Sequence, residues 1–247
     1  RLEHVALVVL LLIHTRRTQL THSIASAESE VYERPPLGAN RVRGGYHFAT
    51  TAGASSCALV LYREGKTAPV QKISFREEDK TGDVWNMTLT GGDFSGLEYA
   101  YAADGKLLPD PYGASFRGRE KWGALNQGKK PLRPPLIQEE FDWEGDRPLE
   151  IPYEDTVIYR LHVRGFTRHS SSGTAEHGTF SAVAEKIPYL KELGVTAVEL
   201  LPPTEFEEVI LPEGAGKNPY VKEEPTGKIN YWGYTGGGIF APKASYS

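Results

Sequence analysis

Thr156-Val-Ile-Tyr-Arg-Leu-His-Val163 is the stretch on which the reading of the fold turns, because it opens a strand–helix–strand pattern. Alone it is a short apolar run of strand length. A loop rich in Ser, Thr and Gly comes next, from Gly165 to Gly178. Phe180, Val183, Ile187 and Leu190 then recur at helical spacing and form one face of an amphipathic helix. Thr179 or Ser181 can cap its start, and Gly194 stands where the last turn needs a left-handed stop. Pro188 lies inside the pattern and is expected to kink the helix or shorten its first part. Val195-Thr-Ala-Val-Glu-Leu-Leu201 is apolar again and ends at Pro202-Pro203. Strand, helix and strand in this order make a βαβ unit, from which parallel sheets and α/β barrels are built. Residues 156–247 therefore read as the start of a (β/α)8 barrel. A complete barrel takes about 250 residues, so most of it is expected to be missing and the chain to be truncated.

Before this unit the rhythm is different. Val42 to Phe48, Cys57 to Tyr62, Gln71 to Phe75, Val84 to Leu89 and Leu97 to Ala102 have the length and the β-branched or aromatic content of strands. Thr81-Gly-Asp83 and Asp104-Gly105 supply turns between them. In Val84-Trp-Asn-Met-Thr-Leu89 the apolar Trp85, Met87 and Leu89 alternate with polar residues, so one face is expected to be buried. No helical period interrupts residues 36–126, which read as an all-β sandwich. Residues 127–155 carry Pro131, Pro134, Pro135, Pro148 and Pro152 and read as a linker that drapes over a surface. Residues 1–35 are an extension of unclear role. Its apolar run Val5 to Ile13, followed by Ala25-Ser-Ala27, faintly resembles a signal peptide, but His14, Arg16, Arg17 and His22 intervene. The run is too short to span a membrane as a helix.

Composition removes several classes of function. The chain of 247 residues has 28 Lys+Arg against 32 Asp+Glu, a net charge of -4, and offers nucleic acid no basic footprint. Cys57 is the single cysteine, so no intrachain disulfide forms. It sits in an apolar run and reads as a buried structural thiol, and the cytoplasm is the expected location. No phosphate-binding loop, dinucleotide fingerprint or nucleophile elbow occurs, and no Cys/His cluster suggests zinc. No cofactor and no metal is expected. His162 and Arg164 on the first strand read as structural, His169 and His177 as solvated loop residues, and Glu199 as a structural group. Trp85 belongs to the core. Trp122 and Trp143 lie in loops and are candidates either to stack on sugar or to pack between domains.

Three stretches in order resemble one family. Val157-Ile-Tyr-Arg-Leu-His-Val-Arg-Gly-Phe-Thr167 resembles the first barrel strand of α-amylase-family (glycoside hydrolase family 13) enzymes of the isoamylase, pullulanase and glycogen-debranching branch. Gly178-Thr-Phe180 with Ile187-Pro-Tyr-Leu-Lys-Glu-Leu-Gly-Val-Thr-Ala-Val-Glu-Leu-Leu-Pro202 is similar to their first helix and second strand. Asn230-Tyr-Trp-Gly-Tyr234, then Phe240-Ala-Pro242 and Ser245-Tyr-Ser247, is similar to the approach to their third strand. Upstream, Asp104-Gly105 and Asp110-Pro-Tyr-Gly-Ala114 resemble the end of the module before the barrel, an immunoglobulin-like sandwich similar to a glycogen-binding domain.

The resemblance implies hydrolysis of α-1,6 branch linkages in glycogen or a related α-glucan, with no membrane or nucleic-acid partner. It also implies that the nucleophilic Asp, the acid Glu and a third Asp lie on later strands, beyond Ser247. No residue of this chain is assigned a catalytic role. Tyr234 matches the family aromatic that stacks under the sugar whose bond is broken, and Trp232 and Asn230 are candidates to line the same cleft. Thr235-Gly-Gly-Gly238 departs from the bulkier polar residues common at that point and is expected to loosen the loop. The alternatives are a non-catalytic glucan-binding protein, or an α-1,4 hydrolase or branching enzyme of the same family.

Overall fold

The computed structural model describes residues 36–124, 132–137, 142–211, 225–235 and 237–247. The extension 1–35, parts of the proline-rich segment and Gly236 lie outside the described residues.

Two four-stranded antiparallel sheets come first. One has the order β1 (Gly38–Val42), β2 (Gly45–Thr51), β6 (Val84–Thr90) and β5 (Lys80–Thr81). The other runs β4 (Pro69–Ser74), β3 (Cys57–Arg63), β7 (Leu97–Ala103) and β8 (Lys106–Leu108). One core joins them. Tyr46, Phe48 and Trp85 of the first sheet pack with Leu59, Leu61, Tyr99 and Tyr101 of the second. Met87 and Leu89 lie against the same core, as the alternation in β6 requires. Cys57 is buried here, and burial raises its thiol above the ordinary range, which keeps it in the unreactive protonated form.

The strand expected at Val42 to Phe48 is instead the corner of a hairpin. β1 pairs with β2 through Val42 and Gly45, and Gly44 takes a φ of +75° in the turn. An Arg-Gly pair is a weaker turn signal than Asn-Gly, which is why the sequence pattern runs through it. The proline-rich segment does more than drape. Leu136 enters the sandwich core, its amide donates to the Leu97 carbonyl, and the Tyr99 amide donates to the Pro134 carbonyl. Prolines at the edge of β7 accept hydrogen bonds without needing to donate any. Buried Arg133 lies over the Tyr62 ring, 4.0 Å from its centroid, and 3.5 Å from the Glu98 carboxylate.

The second region contains the parallel pair. β9 (Ile158–Leu161) lies beside β10 (Ala197–Leu200) with Leu161 opposite Leu200. Between them come α1 (Val163–Thr167), α2 (Phe180–Glu185) and α3 (Ile187–Glu192). Pro188 acts by dividing the expected helix in two. It occupies the first turn of α3, where its missing N–H costs nothing, and the break falls at Lys186. Thr179 caps α2 by accepting from the Ala182 amide at 3.1 Å, and Gly194 takes φ +77° after α3. Leu161, Val163, Val183, Leu190 and Val198 form the second core with Phe206 and Tyr246. An antiparallel pair, β11 (Thr204–Phe206) with β12 (Gly237–Pro242), comes after β10 and was not legible as such in the sequence. Among the described residues no helix is long and apolar enough to cross a membrane.

Candidate functional site

The loop that carries the residues singled out for sugar contact reaches the end of β9 through Tyr231 and Trp232, whose rings meet His162. The chain passes from Leu161 into His162, the cap of α1. The Gly165 amide donates to its Nδ1 at 3.0 Å. Its Nε2 lies 2.9 Å from the Tyr231 carbonyl. One tautomer serves both contacts, with the proton on Nε2, so the ring is fixed in orientation. Tyr231 stacks on the imidazole at 4.4 Å with an interplanar angle of 8°. His162 is thus structural, and it moors the loop that bears Trp232 and Tyr234 to the carboxyl end of a parallel strand.

Within that loop the three candidates divide. Tyr234 is 67% exposed and Trp232 55%, so both rings present free surface. Asn230 commits its side chain to the loop itself. Its Nδ2 donates to the Glu207 carbonyl at 3.1 Å and to Thr235 Oγ1 at 2.9 Å, and its Oδ1 accepts from the Gly233 amide at 3.1 Å. Gly233, at φ +75°, sits so close to Phe206 that an added Cβ would lie 2.5 Å from the ring. Two of the three glycines expected to loosen the loop act otherwise. Gly237 and Gly238 are in β12, where a Cβ would come within 2.4 Å of the Glu205 carbonyl oxygen and 2.0 Å of Phe116, respectively. Close backbone approach, rather than flexibility, explains glycine at these positions.

Beneath the loop lies a group of charges that the sequence reading missed. Glu205, Glu208 and Lys243 are wholly buried. Lys243 Nζ is 2.7 Å from Glu205 Oε1 and 2.7 Å from Glu208 Oε1, and it stands over the Phe206 ring at 4.7 Å. Two carboxylates face one ammonium, and neutral donors add to that pairing. The Ala244 amide donates to Glu205 Oε2 at 2.9 Å, Ser245 Oγ to Glu208 Oε1 at 2.8 Å, and the Gly123 amide to Glu208 Oε2 at 2.5 Å. Buried charges survive only when paired and hydrogen-bonded in this way. A sequence signal existed in the three acids of Glu205-Phe-Glu-Glu208, but nothing in it pointed to a lysine 35 residues or more further on.

Gly123 belongs to the segment leaving the sandwich, and that segment clasps the second region. Trp122 stacks on Tyr246 at 5.7 Å, meets Phe206 and Tyr231 edge-on, and carries Arg164 over its face at 4.6 Å. Buried Arg119 pairs with Glu207 at 2.9 Å, and Tyr112 stacks on Phe240 at 5.0 Å. Trp122 is therefore a packing residue between the two regions. Glu199 is exposed and pairs with Arg160 at 3.2 Å across the parallel strands. His169 is exposed, and its Nδ1 accepts from the Ser171 amide. His177 is not simply solvated, because its Nδ1 lies 3.2 Å from Ser172 Oγ and from the Thr167 carbonyl. Among the described residues no three His, Cys, Asp or Glu side chains are grouped to hold a metal.

No family model matches the chain. Individual relatives do. It is 38% identical over 232 residues to isoamylase 1, chloroplastic, of Arabidopsis thaliana, covering 86% of this chain and 29% of that protein. It is 34% identical over 239 residues to isoamylase SU1, chloroplastic, of Zea mays, with 86% and 28% covered. To the glycogen operon protein GlgX homolog of Haemophilus influenzae it is 33% identical over 192 residues, with 68% and 27% covered. The chain thus spans under a third of the length of these curated relatives. Among solved structures, the apo pullulanase of Paenibacillus barengoltzii superposes with a TM-score of 0.64 at 26% identity, covering 87% of this chain and 33% of that one. The type I pullulanase of Bacillus subtilis str. 168, solved complexed with maltose, gives 0.62 at 26% identity, with 87% and 29% covered.

A sheet-rich first region packed on a parallel strand–helix–strand unit, with these relatives, sets the chain in a class whose named members are isoamylases, pullulanases and glycogen debranching enzymes. Within that class the chain belongs to the isoamylase, GlgX and pullulanase branch of the α-amylase family.

Proposed function

We propose that these 247 residues are the N-terminal portion of an enzyme that hydrolyses α-1,6 branch linkages in glycogen or a related α-glucan. Residues 36–126 form an immunoglobulin-like, glycogen-binding-module-like sandwich, and residues 156–247 begin a (β/α)8 barrel. The observation that carries the proposal is the mooring of an aromatic loop, through His162 and Tyr231, at the carboxyl end of β9. In α/β barrels that end of the strands is where active sites are built. Tyr234 offers its face to the C–H groups of a sugar and favours a flattened ring over the relaxed one. Trp232 adds a second apolar wall, and Asn230 braces the turn between them.

Hydrolysis needs two carboxylates flanking the glycosidic bond, one to protonate the leaving oxygen and one to attack or to activate water. Glu205 and Glu208 cannot serve, because Lys243 and neutral hydrogen-bond donors already occupy them. The catalytic acids come from later strands, as the resemblance implies. The location is cytoplasmic, supported by a single cysteine that forms no intrachain disulfide. Two measurements test the proposal. Maltohexaose titrated against the chain quenches tryptophan fluorescence, and Tyr234→Ala weakens that binding about tenfold. An unchanged affinity would return Tyr234 to a packing role. Pullulan incubated with the 247-residue chain gains no reducing ends, and specific turnover would overturn the placement of the acids.

A further inference from the structure

Glu208 ties together three separate parts of the molecule. Its Oε2 accepts from the Gly123 amide in the segment that leaves the sandwich. Its Oε1 takes Ser245 Oγ and Lys243 Nζ, both after β12. Its main-chain carbonyl accepts from the Asn230 amide at 2.8 Å, at the base of the aromatic loop. One residue earlier, the Glu207 carbonyl holds the Asn230 side chain, and two earlier the Phe206 ring fills the space under Gly233. The Glu208 side chain therefore fixes the backbone on which the Trp232–Tyr234 loop is hung, and it does so from the sandwich side.

We infer that Glu208 is a positioning residue, which transmits the seat of the sandwich to the orientation of the sugar-facing loop. Its action is through Asn230 and Phe206, and it makes no contact with substrate. The functional half of this inference rests on the reading of Tyr234 as a sugar platform, whereas the geometric half does not. Glu208→Gln separates the links. The new carbonyl can still accept from Lys243 and Ser245, but its NH2 then faces the Gly123 N–H, donor against donor. The tie to the sandwich breaks, while the fold keeps the same side-chain volume.

The test reads the loop directly. In the 247-residue chain without sugar, Glu208→Gln shifts the amide resonance of Gly233 and the indole resonance of Trp232, and it weakens maltohexaose binding about fivefold. Leu59→Ala, a cavity in the sandwich core, lowers the melting temperature and leaves both resonances in place. If Glu208→Gln does not fold, Ser245→Ala removes one hydrogen bond from the same carboxylate and produces smaller shifts of the same two signals. Unmoved resonances in a folded Glu208 or Ser245 variant overturn the inference. Shifted resonances together with a Tyr234→Ala variant that binds maltohexaose normally uphold the positioning role and remove the sugar-platform reading instead.

Discussion

Single residues show how much this chain depends on balanced burial. Lys243 is the counter-charge for two carboxylates with no solvent near any of the three. Lys243→Met supplies similar volume but removes the ammonium that pairs with both Glu205 and Glu208, and the cost of breaking a buried ion pair on one side is about 3–5 kcal/mol. The expected outcome is loss of cooperative unfolding of the second region in urea, followed by circular dichroism. A Lys243→Met protein as stable as the wild type would show that the ion group does not hold the second region together. Asp110 offers the opposite case. It is fully buried, and desolvation raises its carboxyl above the ordinary range despite hydrogen bonds from the Tyr99 hydroxyl and the Tyr112 amide. The folded state therefore holds this proton more tightly than the unfolded chain. Its contribution to stability is full below the unfolded pKa and is lost as pH rises through the folded one. Asp110→Asn removes the titration. Melting temperatures of the variant, measured from about pH 4 to about pH 7, gain on the wild type as pH rises, and a constant difference would contradict the sign.

At the scale of elements, glycine discriminates between contact and conformation. Gly44 lies between two strands and Gly238 inside one, and each is required for its own reason. Alanine at Gly44 meets nothing within 4 Å and suffers only from φ +75°. Alanine at Gly238 drives its Cβ to 2.0 Å from Phe116, where β12 presses on the segment that leaves the sandwich. Gly238→Ala is expected to lower the melting temperature clearly more than Gly44→Ala, whose strain is about 1–2 kcal/mol. Equal losses would mean that Phe116 swings aside. The same contrast marks what was legible in the sequence. Alternation exposed β6, and the helical period with Thr179, Pro188 and Gly194 set the limits of α2 and α3, because each is a signal carried within a few neighbouring residues. The β11–β12 pair was hidden, since its strands are short and joined by a long excursion. The Glu205–Lys243–Glu208 group was hidden for the same reason, as its partners come together only through tertiary contact. Tyr234 and Trp232 are candidates through resemblance alone, whereas the bracing contact of Asn230 with the Glu207 carbonyl joins residues too far apart in the chain for a local pattern to reveal.

For the molecule as a whole, two cores and one seam set the behaviour. The sandwich core and the core around Leu161, Val183 and Tyr246 share no residues. Trp122, Arg119, Tyr112 and Phe116 bridge them, and the Gly123 amide ends on a buried carboxylate of the second region. A seam that is aromatic at its centre and ionic within excludes water from charges whose strength depends on that exclusion. Loosening it therefore penalises both sides at once, and the two regions are expected to unfold together. Cys57 reports on one and the 230–235 loop on the other. In the wild type, labelling of the Cys57 thiol and protease cleavage within the loop share a common urea transition. Trp122→Ala deletes the centre of the seam, at a cost of about 3 kcal/mol, the lower end of the range for truncating a packed aromatic. The loop then becomes cleavable at lower urea while Cys57 stays protected. Coincident transitions in Trp122→Ala would show that the ion group and Arg119 alone suffice to couple the halves, so the order of the two events in this variant ranks apolar against polar contact at the seam.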